Sequence, residues 1–375
     1  DSVDAVARVV DVAEPSHLWA ALAVLRAELP TVEEVTAARR RAELDGAGAV
    51  LAAIVRDAPL HTAHRTVQAV VDATVVDLGD MLTSTLGTGI QRVARNVAAA
   101  WDAVHPMVVA GWTDDFGALR AATPAERSTA LTGARAGSPP GPARPREHAR
   151  RADTVLVPWR STYLLPELAI QPRRCAAIQG LAQLSGNSTG VIGFDCVPIT
   201  SSETSAGGFP DAFARNLAAV AHFDVVAAIS GAAAGEYRGW ARMLEGAGLT
   251  GPRVVEVPLP AQAPEPSAAD LAAARARLTV PGLDMVLVVG SHEPRKNHLA
   301  VLHAAETAWR RGHRFSLVFV GGNAWGSEEF VGRLESLRSA GHPFESVSKM
   351  PDSQLWAAYR LARFTAFPSL NEGFG

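Results

Sequence analysis

The sequence predicts an α/β protein with two successive parallel-sheet units and a helical stretch in front of them. Three observations predict it. From residue 70 onward, short β-branched runs alternate with segments of helical periodicity. Residues 258–266 hold four prolines (Pro258, Pro260, Pro264 and Pro266), which reads as a joint between compact parts. After that joint the strand–helix alternation starts afresh at residues 285–289.

The elements follow in order. Residues 1–66 show no strand pattern, and Leu18, Leu22 and Leu25 recur at helical spacing. Pro30-Thr31 followed by Glu33-Glu34 marks a break and a restart, with carboxylates in the new first turn. Arg39-Arg40-Arg41 reads as a solvated helix end. The run 70–78 is β-rich, and Ile90, Val93, Val97 and Trp101 trace a helix after it. Residues 108–110 are a short strand, and a helix is expected over about 116–131. Residues 133–151, rich in Gly, Pro, Ser, Ala and Arg, read as a surface loop. Strands are then expected at 154–157, 191–194, 225–229 and 254–257, with helices near 211–222 and 231–247 between the later ones. Beyond the joint the strands are 285–289, 315–320, 344–347 and 364–367, separated by helices near 298–311, 327–340 and 352–361. The domains expected are a helical extension over 1–66, a first sheet unit over 67–260 and a second over 261–375.

Composition narrows the function. A length of 375 residues, 48% hydrophobic and 19% charged, suits a globular chain with more than one core. A net charge of −3 is no nucleic-acid footprint. Cys175 and Cys196 have no metal-binding spacing and read as buried free thiols. No apolar run approaches the ~20 residues that span a bilayer, and no secretory signal pattern opens the chain. A cytoplasmic location is expected, with peripheral attachment at the inner face of a membrane left open.

Four constellations carry chemistry. In Val288-Val289-Gly290-Ser291-His292-Glu293-Pro294-Arg295-Lys296-Asn297, a strand ends and two cations precede a helix. Ligands of open α/β sheets bind beyond the carboxyl ends of strands. Cations at a helix N-terminus oppose the helix dipole, so either an anion belongs there or the pair is simply solvated. The second is Glu372-Gly373-Phe374-Gly375, after the strand ending in Pro368-Ser369. Its glycines let backbone N–H groups approach a ligand, and its carboxylate suits sugar hydroxyls. The sequence stops before the helix such a turn opens, which reads as a cut inside a ligand-binding motif. The third is Gly87-Thr88-Gly89-Ile90-Gln91-Arg92, between a strand and a helix. It lacks both the G-x-G-x-x-G and the Gly-Lys-Ser/Thr spacing, so neither a dinucleotide fingerprint nor a P-loop is supported. The fourth is Gly193-Phe194-Asp195-Cys196-Val197-Pro198, where Asp195 either caps a turn or faces a cleft.

Together these stretches resemble the retaining GT-B glycosyltransferases of family 4 (group 1), and within them the bacterial O-antigen and exopolysaccharide mannosyl- or glucosyltransferases. The resemblance spans residues 70–375 and rests on Thr88-Gly89-Ile90-Gln91-Arg92-Val93, on Gly290 to Asn297, and on Pro368 to Gly375. It implies two Rossmann-like domains facing across a cleft, the second of them truncated. The first would hold the acceptor and the second the nucleotide-sugar donor, GDP- or UDP-linked. The reaction implied moves a mannose- or glucose-type hexose to a glycan or lipid-linked glycan with retention, without metal or other cofactor. By the same resemblance, Arg295 and Lys296 hold the diphosphate and Glu372 contacts the donor sugar. Backbone amides of Gly373, Phe374 and Gly375 approach the sugar and phosphate. Gly87 and Gly89 close over the donor, and Asp195 lies near the reacting sugar. Phe194 departs from the family's usual His. The second Glu of the family pattern would fall after Gly375, so the 375 residues alone are expected to be inactive. The competing reading is a non-catalytic GT-B module that binds a glycan or a partner.

Overall fold

The computed structural model describes residues 10–83, 88–133, 154–261 and 263–374. The chain forms two compact units. The first takes the residues up to Asp195 together with Asp211–Pro258, and the second takes Cys196–Pro210 together with Leu259–Gly373.

The first unit opens with helices α1 (Pro15–Arg26), α2 (Val32–Asp45) and α3 (Ala47–Arg56). Thr31 starts α2 with a capping box, accepting from the Glu34 amide while the Glu34 side chain accepts from the Thr31 amide. Leu18, Trp19 and Leu22 of α1 are buried. Strands β1 (Thr66–Val70) and β2 (Thr74–Asp77) follow, then helices α4 (Gly79–Thr83) and α5 (Gly89–Asp102) and strand β3 (Val108–Trp112). Next come β4 (Leu119–Ala121), α6 (Pro124–Thr132), β5 (Thr154–Pro158) and β6 (Thr162–Leu165), then α7 (Pro172–Leu184) and β7 (Ser188–Gly193). The short helix α8 (Val197–Thr200) leads to α9 (Phe209–Val220), β8 (Val225–Ala228), α10 (Gly231–Gly246) and β9 (Arg253–Glu256). The sheet order is β1-β5-β4-β3-β2-β6-β7-β8-β9, parallel except at β4. Helices α1 and α2 pack on α7, where Gly180 is needed. A Cβ there would lie 2.2 Å from the Pro30 carbonyl oxygen.

Three local expectations change. The helix expected over 116–131 starts only at Pro124, where Thr123 and Glu126 form a capping box. Residues Leu119–Ala121 instead pair antiparallel between β3 and β5. The run 70–78 is two strands, broken at Asp72, whose backbone is left-handed (φ 51°). The strand β6 was not expected at all. It is only four residues long and ends at Pro166, too short for its alternation to stand out.

The second unit contains α11 (Ala268–Leu278), β10 (Asp284–Val289), α12 (His298–Arg310), β11 (Phe315–Val320), α13 (Glu328–Ser339), β12 (Phe344–Val347), α14 (Asp352–Leu361) and β13 (Phe364–Thr365). All its strands are parallel, in the order β12-β11-β10-β13. Alternate residues of β10 and β11 feed opposite faces, as strand geometry requires. Val286, Val288, Leu317 and Phe319 pack with Val301 and Leu302 of α12 and Phe330 and Leu334 of α13. Met285, Leu287, Val318 and Val320 pack with Ala274 and Leu278 of α11 and Ala357 and Ala358 of α14. Burial on both faces explains why these strands read as unbroken apolar runs.

Candidate functional site

In the second unit the chain passes from β10 outward through β11 to β12, then returns to place β13 on the other side of β10. The strand order therefore reverses between β10 and β13. That point, outside the carboxyl ends of the strands, is where open α/β sheets hold ligands. The loops leaving β10 and β13 are neighbours there, which brings together residues about eighty positions apart.

Arg295 and Lys296 lie in a single 3-10 turn, Pro294–Lys296, and Asn297 in left-handed conformation (φ 54°) separates it from α12. The turn is pinned to the β13 loop. The Leu370 amide donates to the Arg295 carbonyl (2.9 Å), Asn297 Nδ2 donates to the Pro368 carbonyl (3.3 Å), and Arg295 Nη1 donates to the Asn371 carbonyl (2.8 Å). The side chains form a neutral quartet. Lys296 Nζ lies 2.5 Å from Glu372 Oε1 and Arg295 Nη1 lies 2.7 Å from Glu372 Oε2. Arg295 Nη2 lies 2.6 Å from Glu293 Oε1. Lys296 Nζ also stands 5.4 Å from the centre of the Phe367 ring. Burial acts to raise the Glu372 carboxyl, but hydrogen bonding with Lys296, Ser369 and Arg295 and the Lys296 charge outweigh it and hold the group below the usual glutamate range.

Two glycines let this loop form. Gly290 has φ +146°, with the Lys296 side chain packed over it, and a Cβ on Gly321 would lie 1.8 Å from the Gly290 carbonyl oxygen. Beneath the loop, His292 and His298 are buried against Phe319 and Phe330. His292 Nδ1 and Asn323 Oδ1 are 2.9 Å apart. Burial first, then the neighbouring His292 and Lys296, lower His298 to about 4, so it is neutral at neutral pH.

The other sequence-derived residues are placed as follows. Gly373 is buried and Phe374 is exposed, while Gly375 and Gly87 lie outside the described residues. Gly89 is the first residue of α5, whose cap is Thr88 with Gln91 closing the box, and a Cβ on it would meet nothing within 4 Å among the described residues. Asp195 belongs to the first unit, just beyond β7, and its carbonyl accepts from the Tyr237 hydroxyl at 3.3 Å.

A second polar cluster escaped the sequence reading. The first sheet also reverses its order, between β2 and β6. Asp77, fully buried at the end of β2, accepts from Trp112 Nε1 (2.7 Å), the Tyr163 hydroxyl (2.6 Å) and Arg174 Nη2 (3.1 Å). Arg174 Nη1 reaches Asp80 Oδ1 at 3.3 Å, and Glu167 accepts from the Asp80 and Met81 amides. Three carboxyl groups thus surround one guanidinium. Burial and the charges of Asp80 and Asp77 push Glu167 up to about 8. No short motif marks these residues, because Asp77 and Arg174 lie 97 positions apart.

Among the described residues, Glu28, His61 and Asp115 form the one group with metal-binding proximity. Arg173 already lies 2.8 Å from both carboxylates, and Arg65 stands 3.8 Å from Glu28 and 3.6 Å from Asp115. These cations oppose an ion there.

The sequence of the second unit matches a known family model. Residues 274–375 match the glycosyl transferases group 1 family model. That group 1 segment holds α12 to α14, β10 to β13 and the whole Arg295–Lys296–Glu372 cluster. Over 89 residues the chain is 32% identical to a serotype-specific mannosyltransferase WbdA of Escherichia coli, covering 24% of this chain and 11% of that protein. A further WbdA of the same species is 30% identical over 89 residues. The chain thus spans about a tenth of the length of the curated relatives it matches. Among solved structures, Anabaena Alr3699/HepE in complex with UDP has a TM-score of 0.49 at 13% identity, over 81% of this chain and 76% of that one. The catalytic domain of starch synthase IV from Arabidopsis thaliana, bound to ADP and acarbose, has a TM-score of 0.48 at 12% identity, over 82% and 80%. No described helix is long and apolar enough to cross a membrane.

Proposed function

We propose that the protein is a retaining GT-B glycosyltransferase that moves a mannose- or glucose-type hexose from a GDP- or UDP-linked donor to a glycan or lipid-linked glycan. One observation carries this reading. Arg295, Lys296 and Glu372 converge where the second sheet reverses its order. The group 1 match over the same residues supports it.

The chemistry follows from the charges. Cleaving the bond between sugar and phosphate leaves positive charge on the sugar and negative charge on the departing diphosphate. Arg295 offers a planar fork and Lys296 a compact ammonium to that diphosphate. They stabilise it more as its charge grows, which lowers the barrier and not only the ground state. Glu372 now pairs with both cations, and Glu293 supplies the second negative charge. In this reading a donor diphosphate displaces Glu372, and the freed carboxylate accepts from the sugar hydroxyls. The backbone amide of Gly373, the residue after Glu372, is then the one nearest the sugar and phosphate. Attack from the face of the departing phosphate yields retention, and the two cations take the role a metal would otherwise fill.

Incubation of the full-length protein with GDP- and UDP-linked hexoses tests the reading by release of the nucleoside diphosphate. Release that collapses in an Arg295→Ala, Lys296→Ala double variant is expected. No release from any donor, together with no binding of GDP or UDP, overturns the reading in favour of a non-catalytic binding module.

A further inference from the structure

The segment between β7 and α9 belongs by its contacts to the second unit, although the first sheet supplies the strands on either side of it. Its hydrogen bonds reach two loops of the second unit. Asn371 Nδ2 donates to Thr200 Oγ1 (3.0 Å) and to Ser201 Oγ (3.1 Å). Trp325 Nε1, in the loop beyond β11, donates to the Thr204 carbonyl (3.0 Å). That same loop is joined to the β10 loop through the His292 amide and the Gly322 carbonyl (2.8 Å).

Asn371 is the junction of this arrangement. Its side-chain amide is held by the two hydroxyls, its carbonyl is held by Arg295 Nη1, and the next residue is Glu372. A residue fixed at both its side chain and its backbone has little freedom to rotate, so the backbone that presents Glu372 is held in place.

We propose that Thr200 and Ser201 are positioning residues for the sugar-nucleotide site. They grip Asn371 and thereby hold Glu372 in register with Arg295 and Lys296. Residues 196–204 are a strap across the ends of β11 and β13, with the Trp325–Thr204 bond as its second fastening. This rests on the proposed glycosyl transfer for its effect on rate, but not for its effect on the loop.

The strap implies a kinetic pattern. Glu372 in wrong register leaves the diphosphate contacts of Arg295 and Lys296 in place while the sugar loses its orientation. The loss therefore falls on kcat more than on donor KM. A Thr200→Ala, Ser201→Ala variant is expected to lose about tenfold in kcat, the scale of one or two hydrogen bonds. A Thr200→Ser, Ser201→Thr variant, which keeps both hydroxyls, is expected to stay near the parent. Asn371→Ala is expected to give the same loss, and adding it to the alanine pair is expected to cost little more, since all three act through one contact.

Amide hydrogen exchange of residues 369–374 separates this inference from the function it serves. Faster exchange there in the alanine pair, with the rest of the second unit unchanged, is expected whether or not a donor has been found. Unchanged exchange in those residues overturns the strap, as does a loss confined to KM. Faster exchange in a protein that binds neither GDP nor UDP upholds the strap and overturns the proposed function alone.

Discussion

Lys296 and Glu372 lie 76 positions apart in the chain, yet Lys296 Nζ and Glu372 Oε1 are 2.5 Å apart at the carboxyl ends of two adjacent parallel strands. The pair is mostly buried, and Arg295 completes it on the other carboxylate oxygen. Two cations in a row before a helix are unfavourable by themselves. The fold answers that with an internal anion, held where an external one could replace it.

Removing either cation is expected to weaken the site sharply. Arg295→Ala and Lys296→Ala should each lower turnover on the order of 100-fold or more, the usual cost of one transition-state contact. Steady-state release of nucleoside diphosphate measures it. Lys296→Arg keeps the charge but not the compact geometry, and is expected to recover only part of the loss.

Glu372 also sets an acid limb of stability. Its folded pKa is below its unfolded one, 4.5, so its contribution is full above the unfolded value and is lost as pH falls through the folded value. Glu372→Gln is expected to flatten the acid side of a denaturant-midpoint profile. A parent and a variant with parallel profiles below pH 5 would contradict this.

Glu167 acts in the opposite sense. Its folded pKa is raised to about 8, so the folded state holds a proton that the unfolded state has released. Stability is therefore expected to fall as pH rises between about 4.5 and 8, by a total on the order of a few kcal/mol. Glu167→Gln mimics the protonated form and is expected to remove that slope. Equilibrium unfolding at several pH values between 5 and 8.5 reads it directly.

Two glycines separate folding from function. Gly321→Ala places a methyl group 1.8 Å from the Gly290 carbonyl oxygen, and is expected to destabilise by at least about 1–3 kcal/mol, as overpacking does. Gly89→Ala meets nothing within 4 Å among the described residues, so its melting temperature is expected to stay close to the parent's. The resemblance assigns Gly89 to the donor site, and a variant that keeps its stability but loses turnover would support that assignment.

Much of the second unit was legible because β10 and β11 are buried on both faces. Met285 to Val289 and Phe315 to Val320 read as apolar runs, Arg295 and Lys296 follow the first of them, and Glu372 follows the expected strand at 364–367. Their mutual pairing was not legible, since it follows from β13 returning beside β10. The first unit was harder. β4 is three residues long and antiparallel, and Asp77, Glu167 and Arg174 meet only through the order of the sheet. Nothing in the sequence singles out Thr200 and Ser201, and only their contact with Asn371 gives them a role.

The most direct measurement is calorimetric titration of GDP and of UDP into the full-length protein and into its Arg295→Ala, Lys296→Ala variant. Micromolar binding of one nucleotide by the parent, lost in the variant, is the expected result. Equal affinity in both proteins would contradict a diphosphate site at Arg295 and Lys296.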